Sequence, residues 1–191
     1  MKNNFLSDLP EDEREIAEYG LSQGLVLVGG LGLAVIAGWV MGIPLLAVLF
    51  LTLTYILRIY AGGYHAKTPL RCGIISALSI LICFLCLKYI SLPKLLLHVL
   101  TLGAGLFILL AAPVDTANKE LEEEEKQTYG RKARRIVLAE AGIYFISALL
   151  GWETGIRCVS VCLIFMAVNL AFGLANNKLR RRLDYDENPD L

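Results

Sequence analysis

Residues 58–72 read RIYAGGYHAKTPLRC and form a short polar passage between two long apolar runs. The passage carries one of the chain's two histidines, His65, and one of its five cysteines, Cys72, together with a Gly-Gly pair and a proline. It therefore places a candidate base near a candidate thiol nucleophile, at a point where the backbone must turn. The apolar runs on either side are interpreted as helices that hold this passage.

The spacing of His65 and Cys72 predicts a break in the backbone. One continuous helix would separate the two residues by about 10 Å along its axis, whereas proton transfer needs a contact of about 3 Å. Pro69 lacks a backbone donor and disfavours the helical conformation for Thr68, so the break is expected there. Thr68 is then the N-cap and Pro69 the first residue of the next helix.

This arrangement places Cys72 in the first turn of a helix. The positive end of the helix dipole and the neighbouring Arg71 both favour a thiolate there. Gly62 and Gly63 allow the preceding loop to fold back, so that His65 can approach the thiol. The passage predicts a Cys-His nucleophile. The alternative is a packing cysteine near an unrelated loop histidine.

The composition indicates an integral membrane protein. Of 191 residues, 56% are hydrophobic, and the mean hydropathy of +0.59 is too high for an ordinary soluble domain. The formal net charge is zero, which predicts no nucleic-acid partner. The cysteines lack zinc-type spacing, so we expect no metal site, no cofactor and no disulfide framework. Four of them lie inside apolar runs and are interpreted as small core residues, namely Cys83, Cys86, Cys158 and Cys162.

Six apolar segments have lengths close to the 20 or so residues that cross a bilayer. They are residues 22–42, 44–60, 73–91, 95–112, 136–152 and 155–175. The predicted fold is an all-α integral membrane protein with about six transmembrane helices. Its membrane domain, residues 22–175, includes polar loops at 58–72 and 113–135, and it is flanked by a polar N-terminal segment, 1–21, and a tail, 176–191.

The basic residues predict the orientation of these spans. With the N-terminus inside the cell, fifteen of the 18 basic residues fall on the cytoplasmic side. The predicted outer loops hold only Lys88, Lys94 and Arg157. This bias follows the positive-inside rule and places both termini and the 58–72 passage in the cytoplasm. That compartment is reducing, so a catalytic thiol persists there.

Small residues recur every four positions in the first span. Gly30, Ala34, Gly38 and Gly42 lie on one face, where another helix can approach closely. The sequence leaves open whether this face packs within the subunit or across a dimer.

Two motifs resemble landmarks of a known family. The first consists of Arg58, the AGGYHA run at residues 61–66, and Cys72, and the second is APVDTANK at residues 112–119. They resemble the AgrB family, the membrane cysteine endopeptidases of bacterial peptide quorum sensing, and the hydrophobic layout is similar over nearly the whole chain.

The resemblance implies specific roles and partners. It implies that His65 and Cys72 are catalytic, and that Arg58 and Gly63 occupy positions needed for activity. It also implies an AgrD-type precursor peptide as the substrate, a homodimer, and a location in the bacterial plasma membrane.

Other polar residues are candidates for supporting roles. Asp115, Asn118 and Glu140 are all predicted near the cytoplasmic face and could orient His65, and the sequence does not choose among them. Arg58, or backbone amides at the start of the third span, could stabilise an oxyanion. Glu140 and Asn169 are costly to expose to lipid and should face protein. The second histidine, His98, is predicted near the outer end and is interpreted as a packing residue.

A basic cluster lies directly before the fifth predicted span. It consists of Arg131, Lys132, Arg134 and Arg135. The cluster could determine topology and attract anionic membrane lipids. It could equally receive an acidic segment of a peptide substrate, and both interpretations stay open.

The leading functional hypothesis is a cysteine endopeptidase that cleaves a precursor through a thioester and promotes cyclisation to a thiolactone. A small peptide transporter and a non-catalytic membrane scaffold are the alternatives. The sequence contains no nucleotide-binding loop and no inverted repeat, which disfavours the transporter.

Overall fold

The computed structural model describes residues 11–64, 68–115 and 122–187, and six α-helices cover most of them. The helices are α1 (Glu11–Val40), α2 (Pro44–Ala61), α3 (Pro69–Tyr89), α4 (Lys94–Ala111), α5 (Glu123–Leu149) and α6 (Glu153–Glu187). The prediction of an all-α protein is confirmed for these ranges.

Four of the helices contain stretches long and apolar enough to cross a membrane, within the described ranges. They are Pro44–Ala61, Leu70–Tyr89, Lys94–Ala111 and Glu153–Leu179. The apolar part of α1, Val28–Val40, is shorter, and α5 is not among the four. Six transmembrane spans, and the orientation of the termini, therefore stay predictions.

Three helices extend beyond the predicted apolar segments. α1 begins at Glu11 and runs without a break into the first apolar run, and α6 continues to Glu187. The 113–135 passage, expected to be a loop, is helical from Glu123 onward. Glu122 is the N-cap of α5 and forms a capping box with Glu125, which satisfies backbone donors at the helix start.

The core is centred on α6, which packs against α2, α3, α4 and α5. Its largest apolar side chains are Phe50, Phe84, Leu57, Ile108, Met166 and Leu170, all fully buried. Many large apolar side chains instead cover the outside of the helices, for example Leu33, Trp39, Leu45, Ile82, Leu95, Leu110 and Leu149. A helical protein with an apolar exterior fits a lipid environment.

Part of the small-residue face of α1 packs within the subunit. Ala34 is buried, and a Cβ on Gly38 would overlap Cβ of Ala47 in α2. Gly42, the last residue of the pattern, lies in the turn after α1 with a φ of 73°. The close helix approach expected from the sequence is thus made between α1 and α2, and the homodimer stays a prediction.

One end of the helices is held together by basic side chains, and we call it the distal end. It comprises the α1–α2, α3–α4 and α5–α6 connections. Lys88 donates to the carbonyl of Met41 at 2.6 Å, and Arg157 donates to the carbonyl of Ile90 at 2.7 Å. Lys94 forms an ion pair with Glu153 at 2.8 Å. The three basic residues predicted for the outer loops therefore all make contacts at this end.

Candidate active site

The start of α3 positions Cys72. Thr68 is in the extended conformation, and its side-chain oxygen accepts a hydrogen bond from the backbone N–H of Arg71 at 3.4 Å. The N–H of Cys72 donates to the carbonyl of Thr68 at 3.0 Å, which closes the first helical turn. The predicted break, cap and helix start are confirmed. Cys72 is half-buried in this turn.

The end of α2 pairs with the segment that follows α4. The N–H of Val114 donates to the carbonyl of Ala61 at 2.9 Å, and Gly62 and Val114 form a parallel β-bridge. Gly62 has a φ of 75°, and a Cβ there would overlap the carbonyl oxygen of Val114. Glycine is therefore required at position 62 for this close approach.

A second constraint acts on Gly63, which has a φ of 133°. A Cβ on Gly63 would overlap Oδ1 of Asn169 in α6. Both the backbone conformation and the neighbouring side chain therefore favour glycine at a position that the sequence had singled out.

Arg58 and Asn169 hold the backbone of Tyr64 from both sides. Arg58 donates one guanidinium N–H to Oδ1 of Asn169 at 2.8 Å and another to the carbonyl of Tyr64 at 2.9 Å. The N–H of Tyr64 donates to the same Oδ1 at 3.0 Å. We call these three residues the Arg58 clamp. Its contacts give Arg58 a role in holding the loop, which the sequence did not predict.

Cys72 and the clamp border a common cavity of about 580 Å³. Arg58, Tyr64, Cys72 and Asn169 line it together with mostly apolar residues of α1, α2, α3 and α6. Cys72 lies close enough to Arg58 to interact with it electrostatically. None of the described lining residues belongs to the distal end. The cavity can thus hold an apolar group next to a thiol and a cation.

Two of the predicted site residues, His65 and Asn118, lie outside the described residues. His65 directly follows Tyr64 in the sequence, and Asn118 comes three positions after Asp115. The contact between His65 and Cys72 stays a prediction.

Asp115 lies beside the paired segment. It follows Val114, and its carbonyl accepts a hydrogen bond from Asn177 of α6 at 2.7 Å. Oδ2 forms an ion pair with Lys126 at 3.4 Å, while Oδ1 is buried without a hydrogen bond from the described part of the chain. The pKa of Lys126 is raised, most strongly by its hydrogen bond to Glu123 and next by the negative charge of Asp115.

Glu140 occupies a different environment in the interior. It is 2% exposed, its Oε2 accepts a hydrogen bond from Sγ of Cys162 at 3.9 Å, and its Oε1 is buried without a hydrogen bond from the described part of the chain. Thr54 in turn donates to that sulfur at 3.3 Å. Glu140 is not among the described residues that line the cavity. Of the two described candidates for orienting His65, Asp115 is therefore the one on the segment that pairs with α2.

The basic cluster lies on the exposed face of α5. Arg131, Lys132, Arg134 and Arg135 are all exposed. Nζ of Lys132 is 5.1 Å from the ring centre of Tyr60. The Tyr60 ring contacts that of Tyr129 in a tilted arrangement, with 5.9 Å between the ring centres. Both tyrosines line the cavity. One member of the cluster therefore lies beside the cavity.

The remaining histidine and cysteines pack within the bundle. His98 hydrogen-bonds Tyr144 and is not among the described residues of the cavity lining. Cys83, Cys158 and Cys162 are buried, and Cys86 is half-buried. These positions agree with the packing roles expected from the sequence.

The fold and the site define a class of protein: a helical, membrane-type chain with a cysteine at a helix start, facing a cavity shared with an arginine. Comparison with known proteins specifies the family. The family model for Accessory gene regulator B matches residues 1–172. The chain therefore belongs to the AgrB family.

Two relatives come from Clostridium perfringens. AgrB-like protein 2 of strain 13 is 29% identical over 153 residues, covering 75% of this chain and 71% of the relative. An AgrB-like protein of strain SM101 is 28% identical over 170 residues, covering 84% and 79%. No solved structure matches the chain. Membership of the AgrB family indicates involvement in the processing of quorum-sensing peptides.

Proposed function

We propose that the protein is a membrane-embedded cysteine endopeptidase that removes the C-terminal tail of an AgrD-type precursor and promotes closure of a thiolactone ring. The observation that carries the proposal is the position of Cys72. It lies in the first turn of α3, at a cavity that it shares with Arg58. Family membership supplies the substrate class.

The first half of the reaction uses Cys72 and His65. His65 takes the proton from the Cys72 thiol, and the thiolate attacks one backbone carbonyl carbon of the precursor. The peptide C–N bond then breaks, and the imidazolium returns its proton to the leaving amine. The products are a thioester on Cys72 and the free C-terminal tail. N–H groups at the start of α3 are candidate donors to the oxyanion.

The second half releases the ring. A cysteine within the bound peptide attacks the thioester carbonyl, its thiol proton passes to His65, and the carbonyl is transferred to the peptide sulfur. Cys72 then leaves as a thiolate and recovers that proton. The apolar wall of the cavity favours this route over hydrolysis, because it limits the access of water and holds the internal thiol close.

Asp115 is the orienting residue in this proposal. The parallel pairing of Gly62 with Val114 brings Asp115 alongside the loop that leads to His65. The buried Oδ1 of Asp115 is a suitable acceptor for an imidazole N–H. Glu140, which is buried beside Cys162, serves as a structural residue.

The decisive experiment is co-expression with the candidate precursor, followed by mass spectrometry of the peptide and of the enzyme. We expect Cys72→Ala and His65→Ala to abolish release of the tail, and wild-type Cys72 to carry the peptide as a thioester adduct. Asp115→Asn should slow cleavage by about tenfold or more, because the imidazole loses its partner. Glu140→Gln is the matched control and should cleave at the wild-type rate.

Two outcomes would contradict the proposal. If Cys72→Ala processed the precursor normally, the passage at 58–72 would be a structural turn, and the transporter or scaffold hypothesis would replace the enzyme. If Glu140→Gln rather than Asp115→Asn slowed cleavage, the orienting role would belong to Glu140.

A further inference from the structure

Asn169 makes contacts that are unusual for an amide in an apolar helix. It lies in the middle of α6, within a stretch long and apolar enough to cross a membrane. Its Oδ1 accepts two hydrogen bonds, from the Arg58 guanidinium at 2.8 Å and from the N–H of Tyr64 at 3.0 Å. A polar side chain in such a segment is expected to serve a function or to bind another helix.

The chemistry of its partners determines which way the Asn169 amide points. Both neighbouring groups are donors, so only the carbonyl oxygen can satisfy them. If the amide nitrogen took its place, two donors would face a third, and each would lose its hydrogen bond. The side chain is therefore an acceptor that a residue of similar shape without oxygen cannot replace.

The surface of α6 around Asn169 is shaped to receive the loop. Gly173 lies one helical turn further along, and a Cβ there would come within 2.9 Å of the carbonyl carbon of Gly63. Gly63 in turn leaves room for Oδ1 of Asn169. Residues 62–64 therefore pack against one face of α6, where Asn169 provides an acceptor oxygen and Gly173 leaves space for the loop backbone.

We infer that Asn169 is a positioning residue for the catalytic histidine. This inference rests on the proposed function. Asn169 and Arg58 together fix both backbone polar groups of Tyr64, the residue directly before His65. The direction in which the chain leaves Tyr64 determines where the imidazole can lie. A displacement of the base by about 1 Å can slow such a reaction about a hundredfold.

The test uses three variants of Asn169 in the full-length protein. Asn169→Leu keeps the approximate shape but removes the acceptor, and Asn169→Ala removes the side chain. Asn169→Asp keeps an acceptor oxygen for both donors. For each variant, two quantities are measured: the rate of precursor cleavage, and the pH profile of Cys72 alkylation by iodoacetamide. The His65→Ala profile serves as the reference for a thiol without its base.

Ser160→Ala is the matched structural control. Ser160 also lies on α6, and it accepts a buried hydrogen bond from Thr101 of α4 at 2.8 Å. Its removal therefore weakens helix packing without touching the clamp. It should leave the alkylation profile and cleavage unchanged, even where the melting temperature falls.

We expect Asn169→Leu and Asn169→Ala to cleave at least about tenfold more slowly, with alkylation profiles that match that of His65→Ala. Asn169→Asp should keep most of the activity and a profile closer to wild type. A wild-type profile in the Leu and Ala variants would overturn the positioning role. If His65→Ala itself changed neither the profile nor cleavage, the proposed function would fail, and the positioning role would fail with it.

Discussion

Gly63 shows how strongly a single residue can constrain the site. Its φ of 133° disfavours any side chain, and a Cβ would displace Asn169. We expect Gly63→Ala to cost about 1–3 kcal/mol in local strain and to slow precursor cleavage by about tenfold or more, because the loop before His65 shifts. Cleavage kinetics in membranes, together with a melting curve of the purified variant, measure the two effects.

Gly151→Ala is the matched control for this substitution. Gly151 also has a positive φ, 66°, but it lies at the distal end, where a Cβ would meet no other atom within 4 Å. This variant should lower the melting temperature through backbone strain alone and leave cleavage intact. Equal losses of activity in the two glycine variants would show that global destabilisation, rather than the position of the loop, controls the rate.

The start of α3 is a local element that positions Cys72, the proposed nucleophile. Replacing Thr68 with valine removes the side-chain acceptor for the N–H of Arg71 and should cost about 1 kcal/mol of helix stability. The first turn then frays, so Cys72 should react more slowly with the precursor. Thr68→Ser restores the acceptor and should restore the rate. A Thr68→Val protein with wild-type kinetics would show that packing alone holds this turn.

The basic cluster on the exposed face of α5 has two interpretations that the structure leaves open. Changing Arg131, Lys132, Arg134 and Arg135 to glutamine tests whether the basic cluster binds the precursor or the lipid surface. We expect precursor affinity to fall and Lys132→Gln alone to give the largest single loss, because Lys132 lies beside cavity-lining Tyr60. Affinity measured by crosslinking, after insertion has been verified, distinguishes the two. Unchanged affinity would leave only the roles in topology and lipid binding.

The two ends of the whole molecule are predicted to differ in their accessibility to a reagent outside the cell. We expect Cys72 to face the cytoplasm and the distal end to face outward, as the charge distribution indicates. In intact cells, a membrane-impermeant maleimide should label the distal variant Ser91→Cys. It should reach Cys72 only after permeabilisation. If Cys72 were labelled in intact cells and Ser91→Cys were protected, the orientation would be the reverse of the predicted one.

The features predicted correctly from the sequence are those set by local chemistry. Pro69 and Thr68 determine a helix start through their own backbone restrictions, so the position of Cys72 followed without any tertiary information. The polar connection predicted at 113–135 is helical from Glu123 onward, a feature that the sequence analysis did not specify. Glutamate, lysine, glutamine and arginine are good helix formers, and a cap at Glu122 lets them continue into the apolar run.

The features that the sequence did not predict depend on distant residues. Asn169 was recognised only as a polar residue that should face protein, because its partners Arg58 and Tyr64 lie more than a hundred positions earlier in the chain. The position of Asp115 relative to Glu140 also depends on packing, while Asn118, the third candidate, lies outside the described residues. The pairing of Val114 with Gly62 brings Asp115 close to the loop, and the sequence alone does not reveal that pairing.

The cross-linked distal end has a consequence for the path of the peptide. Lys88, Arg157 and the Lys94–Glu153 pair join the three connections on that side, and none of them borders the cavity. Under the proposed function, we expect a finished ring to leave on the side away from the distal end, which is the side predicted to face the cytoplasm. Maturation and secretion would then be separate events, and a signal intended for neighbouring cells would need another carrier to take it outside.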